Sequence, residues 1–278
     1  EPYVGWCWKA GGSKNTFNVD DVGYASAAAA GLTAGTITPT GSSVGTKQGF
    51  SIIKYTGNST ANATLPHGLS EAPKFVIIKN LSNNYGWAVL HTSAGTTGTT
   101  LDGSPEYYML QLDSSASLQN FSADTIWNPT STTVKIDQTG GANWVNNSNS
   151  NYIMYAWHDV PGLQKFGEYQ GNGSADGPYV ELGFQPAVVV VKYAATSGSA
   201  SWFIYDSERG KFNQNNNTVL LNASDVEQTS YGIDFLSNGF KLRYADSAGY
   251  TNYSAKYVYM AWAAAPSIDL YGGGANAR

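Results

Sequence analysis

Three histidines, His67, His91 and His158, are the side chains best suited to acid–base or metal chemistry near neutral pH. Either role needs convergence with other ligands or carboxylates, and none of these histidines has the i, i+4 spacing of a helical ligand pair. His67 sits in Pro66-His67-Gly68, which is turn chemistry. His91 falls where a matching segment later in the chain carries Asp206. Asp206 and Glu208 are two residues apart with no third acid, and the segment around His91 lacks both, so the paired carboxylates of a glycosidase are not evident. Gly171–Gly177 is glycine-rich, yet no Lys-Ser/Thr pair follows it, and it reads as a turn rather than a phosphate loop. Asp20, Asp21 and Asp176 are loop acids of the kind calcium uses, without a D-x-D-x-D loop around them. No catalytic residue, metal ligand or cofactor is therefore assigned, and a non-enzymatic protein is expected.

What remains is recognition chemistry. Asn143, Trp144 and Asn146 in one loop, and Tyr250, Asn252 and Tyr253 in another, place an aromatic ring beside side-chain amides. A ring can stack on a sugar face while amides bond its hydroxyls. These six residues are the candidate ligand contacts.

The elements that must position them come in two copies. Tyr55, Gly57, Asn58 and Ala61 recur at one constant offset as Tyr169, Gly171, Asn172 and Ala175. Lys79 and Trp87 recur as Lys192 and Trp202, and the ending Tyr152–Trp157 recurs as Tyr257–Trp262. Val134-Lys135-Ile136 pairs with Phe240-Lys241-Leu242 just upstream of those endings. A repeat near a hundred residues has the length of a domain rather than of a solenoid unit. Phe50–Tyr55 alternates as a strand, and Phe75–Lys79 and Ala187–Lys192 are apolar on both faces, as central strands are. No sustained helical periodicity is present. The expected fold is all-β: two tandem homologous antiparallel β-sandwich modules, jelly-roll-like, with an extended N-terminal segment. The expected boundaries are 1–48 for the end of a preceding module and a linker, 49–160 and 161–266 for the modules, and 267–278 for a tail. Tyr3–Trp8 resembles the two closing strands, which suggests that the chain continues a longer polypeptide.

Composition narrows the function classes. Charged residues are 13% of the 278, and the net charge is −5 with 15 Lys and Arg that do not cluster, so a basic stripe for nucleic acid is lacking. Cys7 is the single cysteine, which excludes an intrachain disulfide. The most apolar run, Ala187–Val191, is too short to span a bilayer. Tyr, Ser, Gly and Asn dominate the loops, a palette that recognition surfaces favour.

Tyr169–Ala187 and Asp234–Arg243, with the opening Trp6–Gly12 and the tail Tyr271–Arg278, resemble a domain of structural proteins of tailed, especially marine, bacteriophages. That resemblance implies a virion component without saying which one; the function expected on that footing is a tail fibre or appendage, virion-borne or extracellular, that contributes to host attachment through glycan or protein contacts. Its implied partners are other virion proteins and host surface polysaccharide, with a homotrimer as the natural fibre state; neither nucleic acid nor membrane insertion is expected. An architectural decoration protein and a secreted carbohydrate-binding adhesin are the alternatives.

Overall fold

The computed structural model describes residues 4–99, 105–119, 128–136 and 144–264; Asn143 and the tail lie outside the described residues. It is all-β. Among the described residues the one helical segment is a 3-10 turn at Thr92–Ala94.

The chain divides into two compact units. The first comprises Trp8–Gln111 and Gln119–His158; the second comprises Glu1–Cys7, Leu112–Leu118 and Asp159–Arg278. Strands of the first are β1 (Phe17–Val19), β2 (Val22–Tyr24), β3 (Gly41–Gly45), β4 (Phe50–Thr56), β5 (Thr64–Pro66), β6 (Phe75–Asn80), β7 (Trp87–His91), β8 (Thr96–Thr99), β9 (Pro105–Tyr107), β10 (Met109–Gln111), β11 (Thr133–Lys135) and β12 (Asn151–Trp157). Those of the second are β13 (Gln164–Gln170), β14 (Tyr179–Glu181), β15 (Pro186–Tyr193), β16 (Trp202–Asp206), β17 (Thr218–Leu220), β18 (Ile233–Leu236), β19 (Gly239–Leu242) and β20 (Lys256–Ala263).

The large sheet of the first unit runs β10-β7-β6-β12-β4-β3-β1-β2, and that of the second runs β17-β16-β15-β20-β13. The order β10-β7-β6-β12-β4 has its counterpart, strand for strand, in β17-β16-β15-β20-β13. The first unit adds two small sheets, β11-β5 and β8-β9, and the second adds one, β14-β19-β18. The extra strands β1–β3 extend one edge of the first unit's large sheet, so three short stretches of the segment before Gln48 pack as sheet. Its β1–β3 pairing is parallel, unlike the antiparallel pairing of the other strands. Val4–Trp8 carries the aromatic pattern of a closing strand but forms no ladder.

The cores lie between the large and small sheets. In the second unit Val189, Val191, Phe203 and Tyr205 from the large sheet meet Val180, Ile233, Phe240 and Leu242 from the small one. In the first, Ile53, Ile78, Leu90 and Met154 meet Leu65 and Val134. The continuous apolar runs are explained by position: β6 lies between β7 and β12, and β15 between β16 and β20. Pro186 opens β15, where a missing N–H does least harm.

Two repeated pairs show how the shared sequence acts. Lys79 lies opposite Trp87 and Lys192 opposite Trp202, and each ammonium sits 5.6 Å from its Trp ring centroid. Lys192 is fully buried; its Nζ donates to the carbonyls of Ser115, at 3.1 Å, and Ala200. Burial lowers its pKa to about 8. His91 and Asp206, different in charge, do one job. His91 Nδ1 accepts from Ser93 N at 3.2 Å, and Asp206 Oδ1 accepts from Glu208 N at 3.0 Å. Each caps the turn that leaves its strand.

Candidate functional site

Both loops singled out from sequence lead into the closing strand of a unit, and both are held by the same lock. Tyr55 and Tyr152 stack at 5.0 Å between centroids, and Tyr169 and Tyr257 at 5.1 Å. The Tyr55 hydroxyl donates to Val145 O at 2.6 Å, and that of Tyr169 to Thr251 O at 2.5 Å. Burial raises the pKa of both hydroxyls well above the usual range, so they stay protonated donors. Gly57 and Gly171 supply the next part of the lock. A Cβ on Gly57 would lie 2.2 Å from Asn147 O, and one on Gly171 would lie 2.0 Å from Tyr253 O. The side chain is absent because another backbone occupies its place.

Asn146 and Asn252 complete the lock and are fully buried. Asn146 accepts from Asn58 N at 2.9 Å and donates to Thr60 O at 3.2 Å. Asn252 accepts from Asn172 N at 3.1 Å and donates to Ser174 O at 2.7 Å and Tyr244 O at 2.9 Å. Their amides join chain segments more than seventy residues apart, rather than facing solvent. Trp144 is half-buried against the first core, its ring 5.9 Å from that of Tyr85. Asn143 lies outside the described residues.

Tyr250 and Tyr253 are the two candidates whose rings reach the surface, at 37% and 42% exposure. Their loop is organised by Asp246, a buried carboxylate that accepts five backbone N–H bonds. Oδ1 takes Ala248 and Gly249, each at 2.9 Å. Oδ2 takes Thr251 at 2.8 Å, Asn252 at 2.9 Å and Tyr253 at 3.1 Å. The loop is thus wound around one anion, which fixes where Tyr250 points.

Tyr250 points into an aromatic cluster. Its ring is 4.8 Å from Tyr231, tilted by 42°, and 6.3 Å from Phe203; Tyr231 lies 5.1 Å from Tyr244. Phe203, Tyr231 and Tyr250 line a cleft of about 350 Å³, whose polar side chains include Asp225, Gln228 and Ser201. Burial first, and the neighbouring tyrosines and Asp246 after it, raise the pKa of Tyr231, so its hydroxyl is neutral at physiological pH. The arrangement offers a ring face, hydrogen-bond donors and acceptors and one carboxylate to a small polar ligand. Sequence reasoning missed Tyr231, Phe203, Asp225 and Gln228, which come from separate segments with no local motif.

The residues weighed for other chemistry are engaged structurally. His67 is buried, accepts from Leu69 N at Nδ1 (3.0 Å), and faces Thr130 O through Nε2 (3.1 Å). Burial pushes its pKa down to about 4, against a smaller upward effect of the Thr130 carbonyl. Asp21 pairs with Lys9 at 2.8 Å, Asp20 accepts from Thr46, and Asp176 pairs with Lys241 at 2.9 Å, which lowers the Asp176 pKa. Among the described residues no three His, Cys, Asp or Glu converge as a metal site. Ser70 Oγ lies 3.2 Å from His158 Nε2, a hydroxyl–imidazole contact. Sequence reasoning also missed a motif match: Gly41-Ser42-Ser43-Val44-Gly45 has Gly-x-Ser-x-Gly spacing. It lies in the extended strand β3 rather than at a strand-to-helix turn, and Ser43 Oγ bonds Asn18 Oδ1 at 3.2 Å and Gly11 N at 2.8 Å.

No curated protein and no solved structure is significantly similar to the chain. A family model described as a domain of unknown function, DUF7483, matches residues 1–266. The whole two-unit region therefore falls within one family pattern, and the chain belongs to the DUF7483 family.

Proposed function

We propose that the chain is a non-enzymatic recognition module of a tailed-phage virion, of fibre or appendage type, that contacts host-surface glycan through the Tyr250 cleft. The observation that carries the glycan contact is the cleft: exposed aromatic surface beside an amide, a hydroxyl and a carboxylate, on a loop that Asp246 holds in place. A rigid ring loses little entropy when a sugar stacks on it, which suits weak contacts repeated along a fibre. The virion assignment is supported by the motif resemblance at Tyr169–Ala187 and Asp234–Arg243 alone.

Binding to a panel of immobilised bacterial polysaccharides tests the first part. The wild-type chain is expected to bind at least one, and Tyr250→Ala to lose that binding while remaining folded. Binding unaffected by Tyr250→Ala would refute the cleft as the contact. Release of reducing sugar from the bound polysaccharide would favour a hydrolase instead, with Ser70 and His158 the first residues to replace. Mass spectrometry of purified particles of a phage encoding the chain tests the second part; absence from the particles refutes it.

A further inference from the structure

Resting on the glycan-contact reading, we infer that the Tyr250 cleft selects uncharged pyranose units over acidic ones. The charge of its lining carries this. Asp225 is exposed at the cleft, and among the described residues no Lys or Arg side chain lines it. Lys192 is sealed beneath the carbonyls of Ser115 and Ala200, two residues of the lining, so a ligand does not meet its ammonium. Asp246 adds a second anion behind the Tyr250 loop, with its oxygens turned to backbone N–H groups. An acidic sugar stacked on Tyr250 would bring its carboxylate beside Asp225 with no counter-charge. A neutral sugar would instead donate hydroxyls to Asp225 and to the carbonyl of the Gln228 amide, while its apolar face covers the Tyr250 ring.

Titration calorimetry with the full chain separates the possibilities, using uncharged gluco-, manno- and galacto-hexaoses and an oligogalacturonate of equal length. At low salt at least one neutral hexaose is expected to bind about tenfold more tightly than the acidic one, the scale of one like-charge contact near a protein surface. Asp225→Asn exchanges a charged acceptor for a neutral one, so it should weaken binding of the neutral hexaose by about tenfold while leaving that of the acidic one unchanged or tighter, which closes most of that gap, and molar salt should close it in the wild type. Equal or tighter binding of the oligogalacturonate, or a gap that survives both Asp225→Asn and high salt, overturns the selectivity while leaving glycan binding intact. If no hexaose of either class binds, or if binding ignores Tyr250→Ala, the cleft reading itself fails and the selectivity with it.

Discussion

Asp246 gives the sharpest test of how the recognition loop is built. Its carboxylate accepts five backbone N–H bonds and has no ion-pair partner among the described residues. The amides of Gly249, Thr251 and Asn252 are buried, whereas that of Ala248 is half-exposed and that of Tyr253 also reaches the Tyr257 hydroxyl at 3.0 Å. Asp246→Ala therefore strands three donors away from water. At about 1–3 kcal/mol for each stranded group, and allowing some relaxation of the loop, the loss should be about 3–6 kcal/mol. Asp246→Asn keeps one oxygen. Turned toward Thr251, Asn252 and Tyr253, that oxygen preserves three bonds and sets the NH2 against Ala248 and Gly249, for a loss of about 1–3 kcal/mol. The exposed Asp225→Ala is the control and should change stability by less than about 0.5 kcal/mol. Guanidinium titrations followed by tryptophan fluorescence and near-UV circular dichroism would rank the three. The reasoning is refuted if the Ala and Asn variants lose equal stability, or if Asp246→Ala behaves like the control. A correct ranking would also predict faster amide exchange at Ala248 and Gly249 in the Asn variant, with Thr251 and Asn252 still protected.

The same physics reaches further. Gly57→Ala and Gly171→Ala should each lower stability by about 3 kcal/mol, the upper part of the range for over-packing, because the new methyl meets a backbone carbonyl; a thermal melt unchanged by either would refute the lock. The His67 pKa is depressed, so its contribution is intact above pH 6.5 and disappears as pH falls toward 4, for a total of about 3 kcal/mol in urea titrations across that window. An NMR titration with His67 protonated at pH 6 would contradict it. Tyr169, Tyr205, Tyr257 and Tyr259 have raised pKa values from burial, so the stability they contribute is present below pH 10 and falls as pH rises beyond it. Absorbance at 295 nm should show these phenols ionising together with unfolding rather than before it.

Much of the architecture is legible in residue order because strand signals are local. The alternation in Phe50–Tyr55, the double-faced apolar runs at Phe75–Lys79 and Ala187–Lys192, and the paired endings at Tyr152–Trp157 and Tyr257–Trp262 each record the environment of one strand. They were enough to expect an all-β chain with sheets of matching design. The parallel pairing of β1 with β3 was not legible, since register depends on a partner far along the chain.

The candidate site divides along the same line. By itself the residue order determined that two aromatic and amide-rich loops precede the closing strands, and that Tyr, Gly and Asn recur ahead of each. Only the tertiary structure decided which of those groups face water. Asn146 and Asn252 look from composition like sugar-binding amides, yet each is buried against a segment dozens of residues away. Tyr250 gained a cleft because Phe203 and Tyr231 approach it from other elements. A side chain's type states what bonds it can make; whether it makes them with solvent, ligand or its own backbone is set by long-range contacts that leave no mark in its immediate neighbours.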